Sequence, residues 1–412
     1  MANDKGPILV VGGGIAGITA ALEAAEVGHD VILLERNAYL GGRVAQLHRY
    51  FPKLCPPACG LEINYQRLAN NPRIKVHTLA EVVSVSGEEG AFSVEVKFEP
   101  RFVNDKCTCC GKCAEVCELE VDDEFNLKMR KIKAANLPHE RAYPARYRLH
   151  PELASSAEAQ KVNDACEYGA IDLDDKARSE KLEVASIIWA TGWKPYDADA
   201  VGYYNYGKHP NIITNVMMER LAASDGPTGG KIVRPSDQGA PEHVLFVQCA
   251  GSRDVNHLSY CSGVCCLASL KQATYVREQY PDCKVTICFI DIRAPGRLED
   301  FYAKVQQDDK VSFVKSKVAR VVRAEDNLLK VTGEDTATGK TFNDTADLVV
   351  LATGMQPCAP ELLPSDDHGF LQPGATPGHH VAGCVSRPAE VSSTVQEATA
   401  AALSAIQSAA VR

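Results

Sequence analysis

Short apolar runs alternate with helical patterns along most of the chain, and this predicts an α/β architecture. Pro7 to Val11 reads as a buried strand, a helix follows through Ala20, Ala21, Leu22 and Ala25, and Val31 to Leu34 reads as a second strand. The strand signature returns at Val184 to Trp189, Val244 to Val247, Lys284 to Ile290 and Leu348 to Leu351. A helix is expected from Leu267 to Glu278, and the tail reads as a last strand and helix. Val76 to Phe98 alternates in part, as hairpin strands do. One region breaks the pattern. Residues 119–161 are polar and rich in charge, and they predict an insertion.

Length supports two or three domains, since 412 residues can bury several cores. The hydrophobic share is 45% and the charged share 24%, as in soluble globular proteins. A net charge of -9 weighs against nucleic acid or an anionic membrane as main partner. No apolar run approaches the roughly 20 residues of a span, so direct membrane insertion is not expected. The opening MANDKGPILVVGGG runs straight into a strand and glycine turn, so no signal peptide is expected. Composition becomes unusual only at cysteine. Sixteen cysteines, in two tight clusters and a few loose positions, point to metal or redox chemistry in a reducing compartment.

The first strand carries the most complete motif. Gly12, Gly14 and Gly17 form G-x-G-x-x-G between strand and helix, and the second strand ends in Glu35. The glycines permit a tight turn and close approach of a pyrophosphate, the helix N-terminus favours its charge, and the acid accepts from ribose hydroxyls. Ala16 and Arg36 join these as cofactor-binding candidates. Gly41-Gly42-Arg43 resembles a second flavin signature, so FAD is expected rather than NAD, with Gly42 and Arg43 in contact. Two A-T-G turns, with Thr191-Gly192 and Thr353-Gly354, resemble those of the pyridine nucleotide–disulfide oxidoreductase superfamily. That superfamily has two Rossmann-like domains, and its last FAD-contacting strand and helix resemble the tail from His379. Many members place an Asp after A-G there. This chain has Gly383 followed by Cys384, so backbone amides near Gly383 are expected to carry the contact.

The clustered cysteines fall into two groups. Cys107, Cys110, Cys113 and Cys117 have C-x2-C-x2-C-x3-C spacing, as in bacterial ferredoxins. The fourth cysteine of such a run ligates another cluster in two-cluster ferredoxins, and Cys166 in CEYGAID fits the remote position. One [4Fe-4S] site is therefore expected on Cys107, Cys110, Cys113 and Cys166, with Cys117 as alternative ligand and Cys109 as bystander. The second group, Cys249, Cys261, Cys265 and Cys266, follows the strand where a second glycine fingerprint would stand. Only Gly251 remains of that fingerprint, so nicotinamide binding is not expected. The order C-x11-C-x3-C-C matches no common zinc pattern, and adjacent Cys265 and Cys266 would need a sharp turn between them to ligate together.

The expected organisation is an FAD-binding domain (1–104), a ferredoxin-like insertion (105–180), FAD-domain continuation and linker (181–240), a second Rossmann-like domain with the cysteine cluster (241–354), and a C-terminal return (355–412).

Over nearly its full length the chain resembles heterodisulfide reductase A subunits. GGGIAGITAALEAAE, CTCCGKCAEVC, QCAGSRD, YCSGVCC and FIDIRA carry the resemblance. It implies FAD on Gly12, Gly14, Gly17 and Glu35 and a [4Fe-4S] cluster on Cys249, Cys261, Cys265 and Cys266. The compact form is similar to the A subunit of the quinone-interacting membrane-bound oxidoreductase complex of sulfate reducers. That similarity implies a cytoplasmic oxidoreductase component, held at a membrane through partners: a second flavoprotein and a cytochrome or iron–sulfur membrane subunit. Adenylylsulfate reductase is then the candidate electron partner, in sulfate respiration. Two other functions compete. One is a flavin-dependent disulfide reductase using Cys55 and Cys59, and the other is an A subunit in a flavin-based electron-bifurcating complex. A non-catalytic scaffold is disfavoured by the intact motifs. Lys271, five residues past Cys266, is the candidate cation beside the flavin, set against an exposed helix lysine.

Overall fold

A computed structural model describes residues 6–51 and 53–410. Residues 1–5, on which the no-leader expectation partly rests, lie outside the described residues.

The first apolar strand, Ile8–Val11, is the middle of a five-stranded parallel sheet. Val31–Glu35 and Ile74–Thr78 lie on one side of it, Ser186–Trp189 and His379–Val381 on the other. Parallel strands need both faces covered. One face is covered by the helix Ile15–Glu26 and the C-terminal helix Val391–Ser408, which meet through alanines. Ala20, Ala21, Ala24, Ala398, Ala401 and Ala405 share one buried core. The opposite face packs on a three-stranded antiparallel sheet of Ala80–Glu88, Ala91–Phe98 and Arg178–Val184.

The second domain is a seven-stranded sheet, ordered 212–214, 348–353, 243–250, 284–289, 311–323, 329–335 and 340–346. The first five of these run parallel, and the last two return as antiparallel hairpins. Helices Asn215–Ala222 and Cys265–Gln279 cover it with a core that includes Met218, Leu270 and Val276. The sequence pattern places residues 212–222 in the first domain, but they build the edge of the second sheet, with Ile212 opposite Val349. A three-residue strand is too short to show a period, so its sheet is not readable from the pattern. The segments after the two A-T-G turns, Trp193–Pro195 and Met355–Pro357, pair antiparallel as the crossing between domains.

The insertion leaves and rejoins at neighbouring points. Val103 bridges Ile171, and Asp175 Oδ2 accepts from the backbone N–H groups of Arg101 (2.9 Å) and Phe102 (3.1 Å). It has its own small core around Phe102, Val121, Leu149, Leu153 and Val162. Arg101 reaches back from it, donating to Ala38 O and Thr78 Oγ1, both at 2.6 Å.

Candidate functional site

A cavity of about 1000 Å³ opens where both sheets and the insertion meet. Its floor is the first glycine turn. Gly12 sits at φ +110°, and a Cβ there would lie 2.3 Å from Ala190 O. A Cβ on Gly17 would lie 1.8 Å from Gly12 O, so helix and turn touch through bare backbone. At Gly14 the nearest atom to an added Cβ is Gly42 Cα at 3.9 Å, and Gly14 faces the cavity. The three glycines therefore divide the work, two closing the turn and one leaving room for a ligand. Ala16, Arg36, Gly42, Arg43, Thr191 and Gly192 also line the cavity.

Glu35 is buried at the strand end and lines the same wall. Its Oε2 accepts from Gly13 N at 2.7 Å, and its Oε1 accepts from Asn37 N and Nδ2 at 2.7 Å. The carboxylate thus holds the glycine turn at the cavity wall. Burial pushes its pKa up, against the pull of these donors. Arg43 Nη1 donates to Gln46 Oε1 at 2.9 Å, and its guanidinium lies 5.7 Å from the Trp193 ring centre. Burial lowers its pKa.

Three expected contacts lie elsewhere. Thr353 and Gly354 do not line the cavity. Thr353 Oγ1 donates to Asn215 Oδ1 at 3.2 Å, and a Cβ on Gly354 would meet Ser252 Oγ and Ser262 Oγ. Their strand lies in the second sheet beside 243–250, so its end supports the cysteine loop. Gly383, at φ +72°, lets the C-terminal helix close on the first one, since a Cβ would lie 3.0 Å from Ala16 Cβ and Thr394 Cγ2. Cys384 does reach the cavity, but its thiol donates back to Ala389 O at 3.3 Å.

The second domain supplies the far wall. Lys271 is 4% exposed, not a solvated helix lysine. Its Nζ donates to Arg49 O at 2.5 Å and pairs with Glu219 Oε1 at 3.1 Å. Glu219 also accepts from His48 N (3.0 Å) and Gln272 Nε2 (2.8 Å). Lys271, Glu219 and Gln272 all line the cavity. Two buried atoms on its wall, Thr191 Oγ1 and Gln272 Oε1, have no protein partner. A buried polar atom left alone is costly. A ligand with polar groups that reach both atoms removes that cost, and FAD carries such groups. Glu219 and Gln272 escape sequence reasoning, although Gln272 adjoins Lys271.

Beside this wall four cysteines gather. A bulge between Val247 and Ala250 breaks the ladder, and Cys249 takes φ +56° at the strand end. Cys261 lies in the following loop and accepts from Gly263 N at 3.3 Å. Cys265 and Cys266 begin the helix Cys265–Gln279, so the sharp turn expected between them is absent. Successive helical side chains diverge by about 100°, which separates the two sulfurs without a kink. Cys265 Sγ donates to Thr353 O and Cys266 Sγ to Asp291 O, each at 3.6 Å. Burial pushes Cys249 up to about 11 and raises Cys265 and Cys266, with neighbouring thiols adding to each. Among the described residues, no three such side chains close on a single ion.

The insertion carries the other group. Gly111, at φ +85°, turns the chain into the short helix Lys112–Val116, which presents Cys113. Burial pushes Cys113 up to about 12, with Cys107 and Cys110 adding to it. Cys166 packs on the same small core as Cys107 and Cys113, and its sulfur accepts from Ala170 N at 3.3 Å. The Lys112–Glu167 ion pair ties the two cysteine loops together. Cys117 is 2% exposed, lies within that core and donates to Leu119 O at 3.5 Å.

The insertion also walls the cavity, through Asp123, Glu124, Phe125 and Lys128. Phe125 stacks on His139 with ring centres 4.4 Å apart. Burial lowers the His139 pKa from 6.5 to about 4. The unfolded imidazole gains its proton as pH falls through about 6.5, while the folded one resists until about 4. Its contribution to stability is thus intact above that window and lost within it as pH falls. His139→Gln should reduce the loss of thermal midpoint between pH 6.5 and 4, read by parallel melts of both proteins. Identical pH profiles would show that His139 makes no such contribution.

Cys55 and Cys59 stand apart. Cys55 bridges Tyr50, while Cys59 is exposed in the first turn of the helix Ala58–Asn70, where the two prolines predict a rigid non-helical turn. Pro57 at the helix N-cap forfeits no hydrogen bond there, so the prolines start the helix rather than prevent it. Neither cysteine lines the cavity.

The model of a family described as FAD dependent oxidoreductase matches residues 7–56. Over 97% of its length the chain is 36% identical to the A subunit of the ferredoxin/F(420)H(2)-dependent CoB-CoM heterodisulfide reductase of Methanosarcina acetivorans, covering 53% of that protein. It is 37% identical over 96% of its length to an iron-sulfur A subunit of the CoB-CoM heterodisulfide reductase of Methanopyrus kandleri, covering 63%. The chain thus spans between half and two thirds of these relatives. Among solved structures, T. acidophilum thioredoxin reductase aligns over 98% of this chain and 99% of its own, at TM-score 0.55 and 16% identity. Lactococcus lactis thioredoxin reductase aligns over the same shares at TM-score 0.54 and 14% identity. These two support the fold, a pair of α/β domains.

Proposed function

The chain is a homologue of heterodisulfide reductase A subunits over nearly all of its own length, and from that premise we propose that it is an FAD- and iron–sulfur-dependent electron-transfer subunit. One observation carries this reading. The helix Cys265–Gln279 starts with two clustered cysteines and, little more than a turn later, presents a buried lysine to the cavity. A thiolate-held cluster and the flavin position therefore share one rigid element.

Bound FAD would supply the exchange between two-electron and one-electron steps. The residues of the chain do the rest. The turn at Gly12 to Gly17 receives the pyrophosphate, and Glu35 faces the ribose. Lys271, held by Glu219, presents a fixed positive charge that favours a reduced, anionic ring. Cys249, Cys261, Cys265 and Cys266 hold one [4Fe-4S] cluster near the cavity. Cys107, Cys110, Cys113 and Cys166 hold a second, nearer the surface, where Cys110 is exposed. At the second strand end the nicotinamide loop is replaced. A Cβ on Gly251 would lie 2.6 Å from the Tyr196 ring, so that ring fills the space above the turn.

On its motif resemblance the chain works in a multi-subunit complex held at a membrane, between a quinone-linked module and adenylylsulfate reductase. No helix among the described residues is long and apolar enough to cross a membrane. The position of Cys55 and Cys59 off the cavity wall disfavours the dithiol alternative.

The test is anaerobic flavin reduction in the isolated protein. A strong one-electron donor should reduce it, and micromolar NADH or NADPH should not. Saturable reduction by either nucleotide would overturn the reading. Lys271→Met alone would strand a buried carboxylate, at roughly 3–5 kcal/mol. Combined with Glu219→Gln it should keep the fold and lower the flavin midpoint potential relative to Glu219→Gln alone.

A further inference from the structure

We propose that Arg220 is a positioning residue that clamps the iron–sulfur insertion onto the flavin cavity. Its side chain is 0% exposed and meets three separate parts of the molecule. Nε donates to Asn126 Oδ1 of the insertion at 2.8 Å. Nη1 donates to Gln46 O of the first domain at 3.1 Å. Nη2 pairs with Asp225 of its own domain at 2.6 Å. The guanidinium lies 4.6 Å from the centre of the Phe125 ring, whose partner in stacking is His139. Arg220 therefore presses the cavity-lining Phe125 into place. A planar fork with several fixed donors suits such a three-way junction, and a lysine does not.

The contacts around it have the same sense. Asn126 Nδ2 donates to Asp123 Oδ2 at 2.7 Å, and Arg130 Nε donates to the same oxygen at 2.7 Å. Arg130 Nη1 reaches Gly226 O of the second domain at 3.2 Å. Gln46 Nε2 donates to Phe125 O at 3.0 Å. On the helix Asn215–Ala222 the preceding residue, Glu219, holds Lys271 in the cavity. One helix thus fixes both the charged wall of the flavin site and the insertion that covers it. The proposal deepens the FAD reading and rests on it for the identity of the ligand.

The experiment compares iron-loaded wild type with Arg220→Lys, Asn126→Ala and the double variant. Arg220→Lys keeps the buried charge beside Asp225 but loses the fork. FAD release is read by fluorescence after dilution, and trypsin cleavage at Lys128 and Arg130 reads the insertion's docking. Each single variant should release FAD roughly tenfold faster, the loss of about one hydrogen bond to a charged group. The double variant should be no worse than the weaker single, because both remove one junction. Iron content should match wild type throughout. Wild-type release rates in Arg220→Lys, or effects that multiply in the double variant, would overturn the clamp. If wild type holds no FAD, the parent reading fails, while unchanged trypsin protection in the variants would separately overturn the clamp.

Discussion

Gly17→Ala should yield a protein depleted of flavin. The added methyl would lie 1.8 Å from Gly12 O, and that carbonyl cannot move away. Gly12 is itself held at φ +110° against Ala190 O, and its N–H donates to Leu34 O at 2.8 Å. Helix and turn must therefore separate, which takes the Gly14 amide and the helix N-terminus away from the pyrophosphate. Overpacking of this kind costs about 1–3 kcal/mol, which taken from FAD affinity weakens it roughly 5- to 150-fold. Gly14→Leu provides the contrast. Its side chain has space at the backbone and would enter the cavity, so flavin should be lost with little change in melting temperature of the flavin-free protein. FAD released on denaturation, measured per chain, decides both. Stoichiometric flavin in Gly17→Ala would mean that the turn is not the pyrophosphate site.

The glycine turn is readable because all its parts lie within residues 8–35 and need no tertiary knowledge. The same holds for the spacing of Cys107, Cys110 and Cys113. Reading fails where identity depends on which sheet a strand joins. Thr191-Gly192 and Thr353-Gly354 look alike in sequence, yet only the first pair ends a strand of the sheet that carries the cavity floor. The pattern places the start of the helix Cys265–Gln279 two residues late, because that helix is buried nearly all round and offers no polar face to mark its entry. Glu219 and Arg220 give no local signal. Their partners Gln272 and Asn126 are 53 and 94 positions away, and the contacts exist only after three parts of the chain fold together. The cavity wall that the insertion supplies is unreadable for the same reason. A polar run predicts exposure, but Asp123 and Asn126 are 2% and 1% exposed because they satisfy each other and the two arginines.

Cys261→Ala and Cys110→Ala should each remove about half of the iron, and from different clusters. With four irons per cluster, anaerobic wild type should hold about eight per FAD and each variant about four. Cys261 is the quartet member in the loop between the strand end and the helix, and Gly263 N–H donates to its sulfur. Its removal opens the flavin-side site and leaves the insertion's core untouched. Cys110 is exposed at the tip of the ferredoxin-like loop, so its removal spares the second domain. The fourth ligand of that loop separates the two candidates. Cys166 packs on the same core as Cys107 and Cys113 and accepts a backbone N–H, as cluster sulfurs do. Cys117 is buried and its thiol is spent on Leu119 O. Cys166→Ala should therefore lose about four irons, and Cys117→Ala should keep all of them while losing some stability from its core. The electron resonance signal that survives in Cys110→Ala should be the one that responds to flavin reduction, since that cluster shares a helix with Lys271. Full iron in Cys166→Ala together with loss in Cys117→Ala would reverse the ligand assignment. Near-zero iron in anaerobic wild type would end the relay as drawn.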